Sequence, residues 1–158
     1  MYAEDLMTQP VHACHPGDTL DRAAGILWRY DCGVAPVVDE ENHVLGMITD
    51  RDICMAAYTQ GKSLVDLPVS RAMSDRVHTC GPRDTLDAVE RVMKTNRVRR
   101  IPIVDAENHL LGLISLNDLA REAARERNKK RKEISDEEIG GTLAAVCTPW
   151  LPQASSSR

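Results

Sequence analysis

The sequence predicts an α+β fold, with α/β-like alternation, in which two βαββα repeats pack with pseudo-two-fold symmetry and a short C-terminal helix follows. The chain matches itself without a gap when residues 7–53 are shifted by 66 positions onto residues 73–119. Each copy alternates short apolar runs with stretches of helical periodicity. A single copy would hide little surface, so we expect the two to share one core and to form paired clefts where they meet.

The predicted organisation has three parts. Residues 1–60 form the first repeat, residues 61–127 the second, and residues 128–158 a linker, a short helix and a disordered tail. The connector between the repeats is predicted at residues 59–68, where the helical pattern stops and polar residues, a glycine and a proline occur.

The composition indicates a globular protein of the cell interior. Of the 158 residues, 42% are hydrophobic and 28% are charged, which is enough apolar content to bury a core. The net charge of −4 argues against a nucleic-acid partner. No stretch reaches the roughly 18 apolar residues of a membrane span. The five cysteines show no CxxC spacing, which argues against a disulfide framework or a zinc ribbon. We therefore expect a cytoplasmic protein without a membrane segment.

Along each repeat, a short strand comes first and a helix follows. In the first copy the strand covers residues 11–14, and Asp18 is the expected N-cap of a helix that reaches about residue 30. In the second copy Asp84 takes the capping position. Apolar residues at helical spacing behind each cap predict a buried helix face and not a cofactor site. These residues are Leu20, Ala23, Ile26 and Leu27 in the first copy and Leu86, Val89, Val92 and Met93 in the second.

Two strands joined by a tight turn, and then a second helix, complete each repeat. The strands and the helix are at residues 34–39, 44–49 and 50–58 in the first copy, and at residues 101–105, 110–115 and 116–127 in the second. Pro36 and Pro102 cannot donate a ladder hydrogen bond. We therefore expect each proline at a strand start or at a locally open edge, where backbone groups remain free for a ligand.

A hydroxyl and a carboxylate, three positions apart, stand where each hairpin passes into the second helix. They are Thr49 with Asp52, and Ser115 with Asp118. In one interpretation each pair is a capping box that satisfies free N–H groups and needs no ligand. In the other, the helix N-terminus offers N–H groups and its positive dipole end to a phosphate, while the carboxylate accepts hydrogen bonds from ribose hydroxyls. The two roles are compatible, and the sequence leaves both open.

Two stretches of the chain resemble the CBS-domain pair, also called the Bateman module. They are GVAPVVDEENHVLGMITDRDI at residues 33–53 and RRIPIVDAENHLLGLISLNDL at residues 99–119, and both end in the pattern G-h-h-T/S-x-x-D. The resemblance extends from residue 7 to about residue 127. It implies a non-enzymatic regulatory or sensory module that binds AMP, ADP, ATP or S-adenosylmethionine in clefts between the repeats. It also implies a flat homodimer that signals within itself or to an unidentified protein target. The adenine nucleotide would be a regulatory ligand, with no obligatory cofactor.

The resemblance further assigns site residues. Thr49 and Ser115 would contact phosphate or ribose, and Asp52 and Asp118 would bind the ribose hydroxyls. The backbone of the two proline-containing strands would contact the adenine. The residues concerned are Ala35 and Pro36 in the first copy and Ile101 and Pro102 in the second.

Arginines distinguish the two candidate clefts. The first copy has Arg51 after its hydroxyl, in a stretch where the second copy has Leu116 and Asn117. The second copy instead carries three arginines before its proline, and these are Arg97, Arg99 and Arg100. If the repeats pack two-fold, the arginines of both copies could converge on one anion, because guanidinium forks suit phosphate. The alternative is that they are solvated or pair with nearby aspartates.

A zinc site is the second possibility. His12 and Cys14 would face the same side of the first strand, as would His78 and Cys80, and adjoining strands could bring the four together. This predicts a ligand-free interaction protein, or a redox- or zinc-linked stress-response protein, that uses Cys14 and Cys80. Buried lone cysteines are more often packing residues. Tandem CBS proteins of the stress-response type are similar to this chain in the stretch AAVCTP.

Catalysis is not expected. CBS repeats are also inserted in inosine monophosphate dehydrogenase, but this sequence supplies no catalytic barrel, and Cys147 has no evident base beside it. The tail predicts one more helix, which starts at Ser135 and stops before Pro149. Gly140 and Gly141 weaken it by about 1 kcal/mol each, so it should depend on docking its apolar face. That face would comprise Ile139, Leu143, Ala144, Val146 and Cys147.

Overall fold

The computed structural model describes residues 1–128 and 132–148. The helices are α1 (Ala3–Leu6), α2 (Leu20–Arg29), α3 (Asp50–Gln60), α4 (Leu86–Asn96), α5 (Leu116–Glu126) and α6 (Asp136–Cys147), and the strands are β1 (Val34–Val38), β2 (Val44–Thr49), β3 (Arg100–Val104) and β4 (Leu110–Ser115). The order confirms the α+β class. In the described ranges, no helix has the length and apolar content to cross a membrane. The expected stop at Pro149, the disordered tail and part of the basic run lie outside the described residues.

Each repeat holds one antiparallel hairpin, β1 with β2 and β3 with β4. The predicted first strand of each repeat is wrong, because residues 11–14 contribute only one parallel bridge, between Cys14 and Val37, and Cys80 does the same in the second repeat. Pro36 explains why the pairing ends after one bridge. Its carbonyl accepts the Cys14 N–H at 3.0 Å, but its nitrogen carries no hydrogen to continue the ladder. The strand edge beside the proline is therefore open.

Threonines, not the predicted aspartates, cap the first helix of each repeat. The Thr19 hydroxyl accepts the N–H of Arg22 at 3.2 Å, and Thr85 makes the equivalent bond at 3.3 Å. Asp18 and Asp84 each accept an N–H from three residues earlier, at 2.8 Å and 2.7 Å. The predicted cap is wrong by one residue, because each carboxylate closes the turn that leads into the helix.

The isolated backbone bridges reveal the symmetry of the molecule. Within the described residues they form pairs related by the 66-residue shift: Tyr2–Thr85 with Thr19–Pro68, Thr8–Leu113 with Met47–Ser74, Cys14–Val37 with Cys80–Ile103, and His43–His109 with itself. The segment before each repeat therefore pairs with the hairpin of the other repeat. This exchange confirms the pseudo-two-fold packing. It also explains α1, which the sequence did not predict, because α1 belongs to the N-terminal segment that packs on the second repeat.

Each repeat encloses its own apolar cluster, and a small third cluster joins them. Representative buried residues are Leu20, Ile48 and Val69 in the first repeat, Leu86, Ile114 and Leu119 in the second, and Val38, Val44 and Val104 at the seam. The expected single shared core is therefore wrong. Each hairpin lies against the helices of its own repeat, and the two hairpin turns meet at the seam through the His43–His109 bridge.

Helix α6 docks on the second repeat, against α4 and α5. Its buried residues are Thr142 and Val146, and Ile139 is partly buried. The predicted apolar face is partly wrong, because Leu143 is 49% exposed and two further members, Ala144 and Cys147, are also exposed. The buried hydroxyl of Thr142 donates to the carboxylate of Glu90 on α4, which fixes the rotation of α6 about its axis.

Candidate functional site

A cleft of about 390 Å³ lies between the two repeats and collects several of the predicted site residues. The first repeat contributes positions from its two strands. The second contributes the segment before α4 and the start of β3. We call this cavity the arginine cleft. Its lining residues are Val34, Met47, Thr49, Ser74, Arg76, Val77, His78, Arg97, Val98, Arg99, Arg100, Pro102 and Val146.

Four arginines give the arginine cleft a positive charge: Arg76, Arg97, Arg99 and Arg100. The lining contains no carboxylate. None of these four side chains takes part in an ion pair with a residue that the structure describes. The alternative that Arg97, Arg99 and Arg100 pair with Asp31 or Asp50 is therefore not seen as a direct ion pair, although the Arg100 guanidinium and the Asp50 carboxylate lie 3.3 Å and 3.5 Å from the same Cβ position on Gly33. Guanidinium groups without a direct ion-pair partner, grouped in a cleft, attract anions, and their forks match phosphate oxygens.

Arg97 has a backbone conformation that arginine rarely adopts. It is the C-cap of α4, with φ 54° and ψ 40°, in the left-handed region where glycine is the usual residue. This conformation costs a residue with a Cβ about 1–2 kcal/mol. Ending the helix does not require a guanidinium group, and backbone strain of this kind is concentrated at functional sites. The strained position carries one of the four cations of the cleft.

The equivalent position on the Ser115 side is electrostatically different. Under the 66-residue shift, Arg97, Arg99 and Arg100 correspond to Asp31, Gly33 and Val34. A separate cavity of about 220 Å³ beside Ser115 is lined by Arg99, Arg100, Leu116, Asn117, Leu143 and Cys147, and its lining includes neither Asp31 nor Gly33, so it is not the symmetry counterpart of the arginine cleft. Of these two cavities, the arginine cleft has four arginines in its lining and the cavity beside Ser115 has two.

The hydroxyl and carboxylate pairs both form capping boxes. Asp52 Oδ2 accepts the Thr49 N–H at 2.9 Å and the Thr49 hydroxyl at 2.6 Å, while Thr49 Oγ1 accepts the Asp52 N–H at 3.1 Å. Ser115 and Asp118 repeat these bonds. The other oxygen of Asp118 pairs with Arg121, whereas Asp52 Oδ1 takes no hydrogen bond from the described part of the chain. The structural interpretation is confirmed for both pairs, and only Asp52 keeps a free carboxylate oxygen.

Other predicted residues divide into those at the cleft and those away from it. Arg51 is exposed on the first turn of α3 and does not line the arginine cleft, so the predicted convergence of Arg51 with Arg99 and Arg100 is wrong. Pro102 lines the cleft directly. The remaining strand positions, Ala35, Pro36 and Ile101, are buried in the hairpins.

The four side chains of the zinc hypothesis are not brought together. Cys14 and Cys80 lie in the separate apolar clusters of the two repeats. Burial raises the pKa of each thiol to about 11, which keeps it protonated and unsuited to binding a metal. The His12 ring stacks on Tyr30, with 3.3 Å between ring centroids. His78 instead lines the arginine cleft. The predicted first strands do not adjoin, because each pairs only with its own hairpin.

Three polar residues of the cleft were not predicted from the sequence to lie there: Ser74, Arg76 and His78. The sequence suggested His78 only as a zinc ligand. All three precede α4, in a segment that the sequence assigns simply to the second repeat. Ser74 exchanges two backbone hydrogen bonds with Met47 of the first repeat, each at 2.9 Å. The sequence contains a signal for this exchange, because Met7 and Met73 are identical although both precede the predicted first strands.

The duplicated hairpin units, with a cleft at their seam, define a tandem-repeat module. The chain belongs to the CBS domain family, because the CBS domain model matches residues 3–58 and 69–125. Both repeats are therefore accounted for, together with the N-terminal segment that includes α1.

Similar proteins include stand-alone CBS proteins of comparable length. The CBS domain-containing protein YhcV of Bacillus subtilis (strain 168) is 37% identical over 143 residues, which cover 90% of this chain and 93% of YhcV. Hypoxic response protein 1 of Mycobacterium tuberculosis is 24% identical, with 93% and 94% covered. Inosine-5'-monophosphate dehydrogenase of Methanocaldococcus jannaschii is 32% identical, but the match covers only 27% of that enzyme.

Two solved structures share the fold at a TM-score of 0.70. The CBS domain pair of protein MJ0100, in complex with 5'-methylthioadenosine and S-adenosyl-L-methionine, is 25% identical, and the match covers 77% of this chain and 94% of that one. Hypoxic Response Protein I with two coordinated zinc ions is 26% identical, with 77% and 98% covered.

Proposed function

We propose that this protein is a non-enzymatic regulatory module that binds an adenosine phosphate in the arginine cleft and passes the bound state to its own dimer or to a protein target. The observation that carries the proposal is the group of four arginines, none of them in an ion pair with a residue of the ranges 1–128 and 132–148, at a cavity of about 390 Å³. Cavities of about 300–1,000 Å³ are typical of small-molecule sites. The free thiols of all five cysteines suit a reducing compartment, so we place the protein in the cytoplasm.

The lining of the cleft suits both ends of such a ligand. Its apolar side chains, among them Val34, Val77 and Pro102, offer a surface for the adenine. The arginines bind the phosphates. Thr49 lines the cleft at the N-terminus of α3, where helix N–H groups favour an anion. Asp52 lies outside the lining of the cleft, next to Thr49 through the capping box; we propose that its available oxygen Oδ1 accepts a ribose hydroxyl at the edge of the cleft.

The charge of the cleft favours phosphates over S-adenosylmethionine. The relative MJ0100 was solved with methylthioadenosine and S-adenosyl-L-methionine, whose adenosine part this cleft would accept. The sulfonium of S-adenosylmethionine is a cation, however, and four arginines repel it. We therefore expect affinity to rise from AMP to ADP to ATP, and S-adenosylmethionine to bind more weakly than AMP.

The Ser115 side should remain empty at ligand concentrations that fill the arginine cleft. Both carboxylate oxygens of Asp118 are engaged, and the residue is 7% exposed. At the symmetry-related position the residue equivalent to Arg97 is Asp31, which repels phosphate, and the separate cavity beside Ser115 has two arginines in its lining in place of four. The expected stoichiometry is one nucleotide for each chain, with Ser115 and Asp118 outside the occupied site.

Calorimetric titration with AMP, ADP, ATP and S-adenosylmethionine tests this proposal. Arg76→Ala and Arg99→Ala should each weaken ATP binding by about tenfold or more, because a hydrogen bond to a charged group contributes about 1.5–3 kcal/mol. Arg51→Ala is the matched control, since it removes the same charge from an exposed site outside the cleft. Unchanged affinity in both cleft variants, or an equal loss in the control, would contradict the proposed site.

We infer that an apolar groove on the first repeat mediates dimer formation. A groove of about 540 Å³ between α2 and α3 is lined by Ala24, Leu27, Trp28 and Ile53 among others, and Trp28 is 90% exposed. In the second repeat, α6 covers the equivalent helices, α4 and α5. The first repeat has no such cover within the described residues. Exposed apolar patches of this kind mark protein interfaces, and we assign this one to a second copy of the chain.

Light scattering after size exclusion tests the dimer. Trp28→Glu should shift the mass from dimer to monomer at low micromolar concentration, whereas Leu45→Glu, on an exposed β2 position away from the groove, should leave it unchanged. A monomeric parent protein, or a Trp28→Glu protein that is still a dimer, would refute this interface.

The zinc-linked alternative needs another set of ligands. Hypoxic Response Protein I was solved with two coordinated zinc ions, but the four residues that the sequence suggested here are separated in the fold. A metal role for this chain, if retained, must be built from other side chains.

A further inference from the structure

The turns of the two hairpins carry the same chemical pattern, an aspartate, a glutamate and a histidine at alternate positions. In the first repeat these are Asp39, Glu41 and His43, and in the second Asp105, Glu107 and His109. The residue between the two acids differs, glutamate at position 40 and alanine at position 106. The three potential metal ligands are thus identical in the two copies, although the position between the two acids differs.

Backbone geometry directs the three side chains of each turn toward one point. Asp39 Oδ1 accepts the N–H groups of Glu41 and His43 at 3.0 Å and 2.8 Å, and Asn42 between them has a positive φ of 70°. The second turn repeats this with N–H bonds of 3.1 Å and 2.8 Å. Each aspartate therefore shapes the turn with one oxygen and presents the other to the histidine.

The distances within each set suit a small metal ion. His43 Nδ1 lies 2.9 Å from Asp39 Oδ2 and 3.7 Å from Glu41 Oε2. One ligand atom from each of the three residues lies within 4.8 Å of the others in both turns. Ligands around a tetrahedral zinc ion, with bonds of about 2.0–2.1 Å, are separated by about 3.3 Å. The donor atoms thus need only small side-chain rotations to surround an ion.

The two turns also hold each other in place. The His43 and His109 rings stack with 4.6 Å between centroids. Asn42 Nδ2 donates to the carbonyl of Leu110 at 3.0 Å, and the pseudo-symmetric bond from Asn108 is also 3.0 Å. Ligands on a rigid, cross-braced support lose little freedom when an ion binds, which favours affinity.

An interpretation without a metal ion, in which each carboxylate only shapes its turn, explains part of this arrangement. A carboxylate that shapes a turn and bonds a histidine accounts for Asp39 and His43. It gives Glu41 only a long ion pair with His43, because the Glu41 carboxylate is 81% exposed and lies 3.7 Å from the same imidazole nitrogen. Imidazole combined with two carboxylates is a donor set for zinc and similar ions, whereas acids alone would suit calcium or magnesium.

We propose that each hairpin turn binds one divalent ion of the zinc class, through the aspartate, the glutamate and the histidine Nδ1, with water completing the coordination. The aspartate hydrogen bond to Nδ1 is replaced by the metal bond, and the neutral imidazole keeps its proton on Nε2. The site lies at the hairpin turns and is separate from the arginine cleft, so it does not depend on the proposed nucleotide binding.

Titration of the chelator-treated full-length protein with Zn²⁺ alone, followed by calorimetry and elemental analysis, tests this site. We expect two ions for each chain. Glu41→Gln and Glu107→Gln, which change exposed side chains, should each weaken one of the two sites by about tenfold or more. His43→Gln combined with His109→Gln should abolish both sites. Glu40→Gln is the matched control, because it removes an adjacent acid outside the set.

Exposed thiols are the main competing ligands. A Cys54→Ser, Cys147→Ser protein should still bind two ions, because both cysteines lie outside the turns. Cobalt should give a spectrum of nitrogen and oxygen ligation without sulfur charge-transfer bands. The proposal is overturned if zinc does not bind, if the doubly substituted histidine protein keeps two ions, if the glutamate variants bind as the parent does, or if serine at the two cysteines removes the ions.

Discussion

Gly46 in β2 is the position where a single methyl group should have a large effect. A Cβ built on this residue would lie 2.8 Å from the carbonyl oxygen of Ser74 and 3.0 Å from the sulfur of Met73. Ser74 cannot easily withdraw, because it exchanges two hydrogen bonds of 2.9 Å with Met47. Ordinary contacts need about 3.5 Å, so Gly46→Ala must push the segment that crosses from the second repeat away by about 0.5–1 Å.

The expected cost follows from these contacts. Overpacking of this kind destabilises by about 1–3 kcal/mol. Loss of the two bridge hydrogen bonds adds about 0.5–1.5 kcal/mol each if the segment detaches. The smaller entropy loss of alanine on folding returns about 0.5–1 kcal/mol. We therefore expect Gly46→Ala to lower the free energy of unfolding by about 1–4 kcal/mol.

Urea and thermal unfolding followed by circular dichroism measure this effect. For a domain of this size each kcal/mol corresponds to about 2–4 °C in Tm. Gly25→Ala is the matched control, because a Cβ on that exposed α2 residue would contact nothing within 4 Å. It should stabilise by about 0.5–1 kcal/mol through helix propensity. A Gly46→Ala protein as stable as the parent would refute the close approach of the two repeats.

Three further results are expected. Arg97→Gly should raise the free energy of unfolding by about 0.5–1 kcal/mol, since glycine relieves the left-handed C-cap, and should weaken ATP binding; calorimetry and urea unfolding measure both. Thr142→Val should cost about 1–3 kcal/mol, because the buried carboxylate of Glu90 loses a donor, and a neutral effect would contradict the docking of α6. The raised pKa values of Cys14 and Cys80 predict stability that is complete below pH 9 and declines as the pH rises toward about 11, because unfolded thiols ionise first. A Cys14→Ala, Cys80→Ala protein should lose that decline in denaturant titrations.

Much of the fold can be predicted from local patterns. The period of the apolar residues identifies α2 and α4, and the alternation of apolar runs and turns identifies both hairpins. The stretch from Thr49 to Asp52 correctly predicts a capping box, because its bonds connect residues only three positions apart. The same patterns fail where the partner is distant in sequence. Residues 11–14 have the composition of a strand, but Pro36 on the neighbouring strand stops the ladder.

The residues of the candidate cleft also divide into those that local sequence identifies and those that only the packing of the two repeats brings there. Arg99 and Arg100 can be singled out from the sequence because they interrupt the repeat, while Arg76 and His78 join them only because the segment before α4 pairs with the other repeat. Arg51 carries a guanidinium group that could bind phosphate, but it is exposed on the first turn of α3 and is not in the lining of the cleft. Side-chain direction at a helix start depends on the packing of that helix, which local sequence does not specify.

By itself the sequence determined that the chain is a duplicated unit of the CBS kind, with one helix before and one helix after each hairpin, because the repeat, the periodicities and the capping boxes can be identified from local sequence. Only the tertiary structure decided that the segments before the repeats are exchanged, that four arginines line one cleft without a direct ion pair to the described part of the chain, and that the turns at Asn42 and Asn108 meet. These features depend on contacts between the two halves of the chain, from Met47 with Ser74, 27 positions apart, to Thr8 with Leu113, 105 positions apart. Such contacts form only when the two halves pack, and their energy comes from the packing and not from local preference.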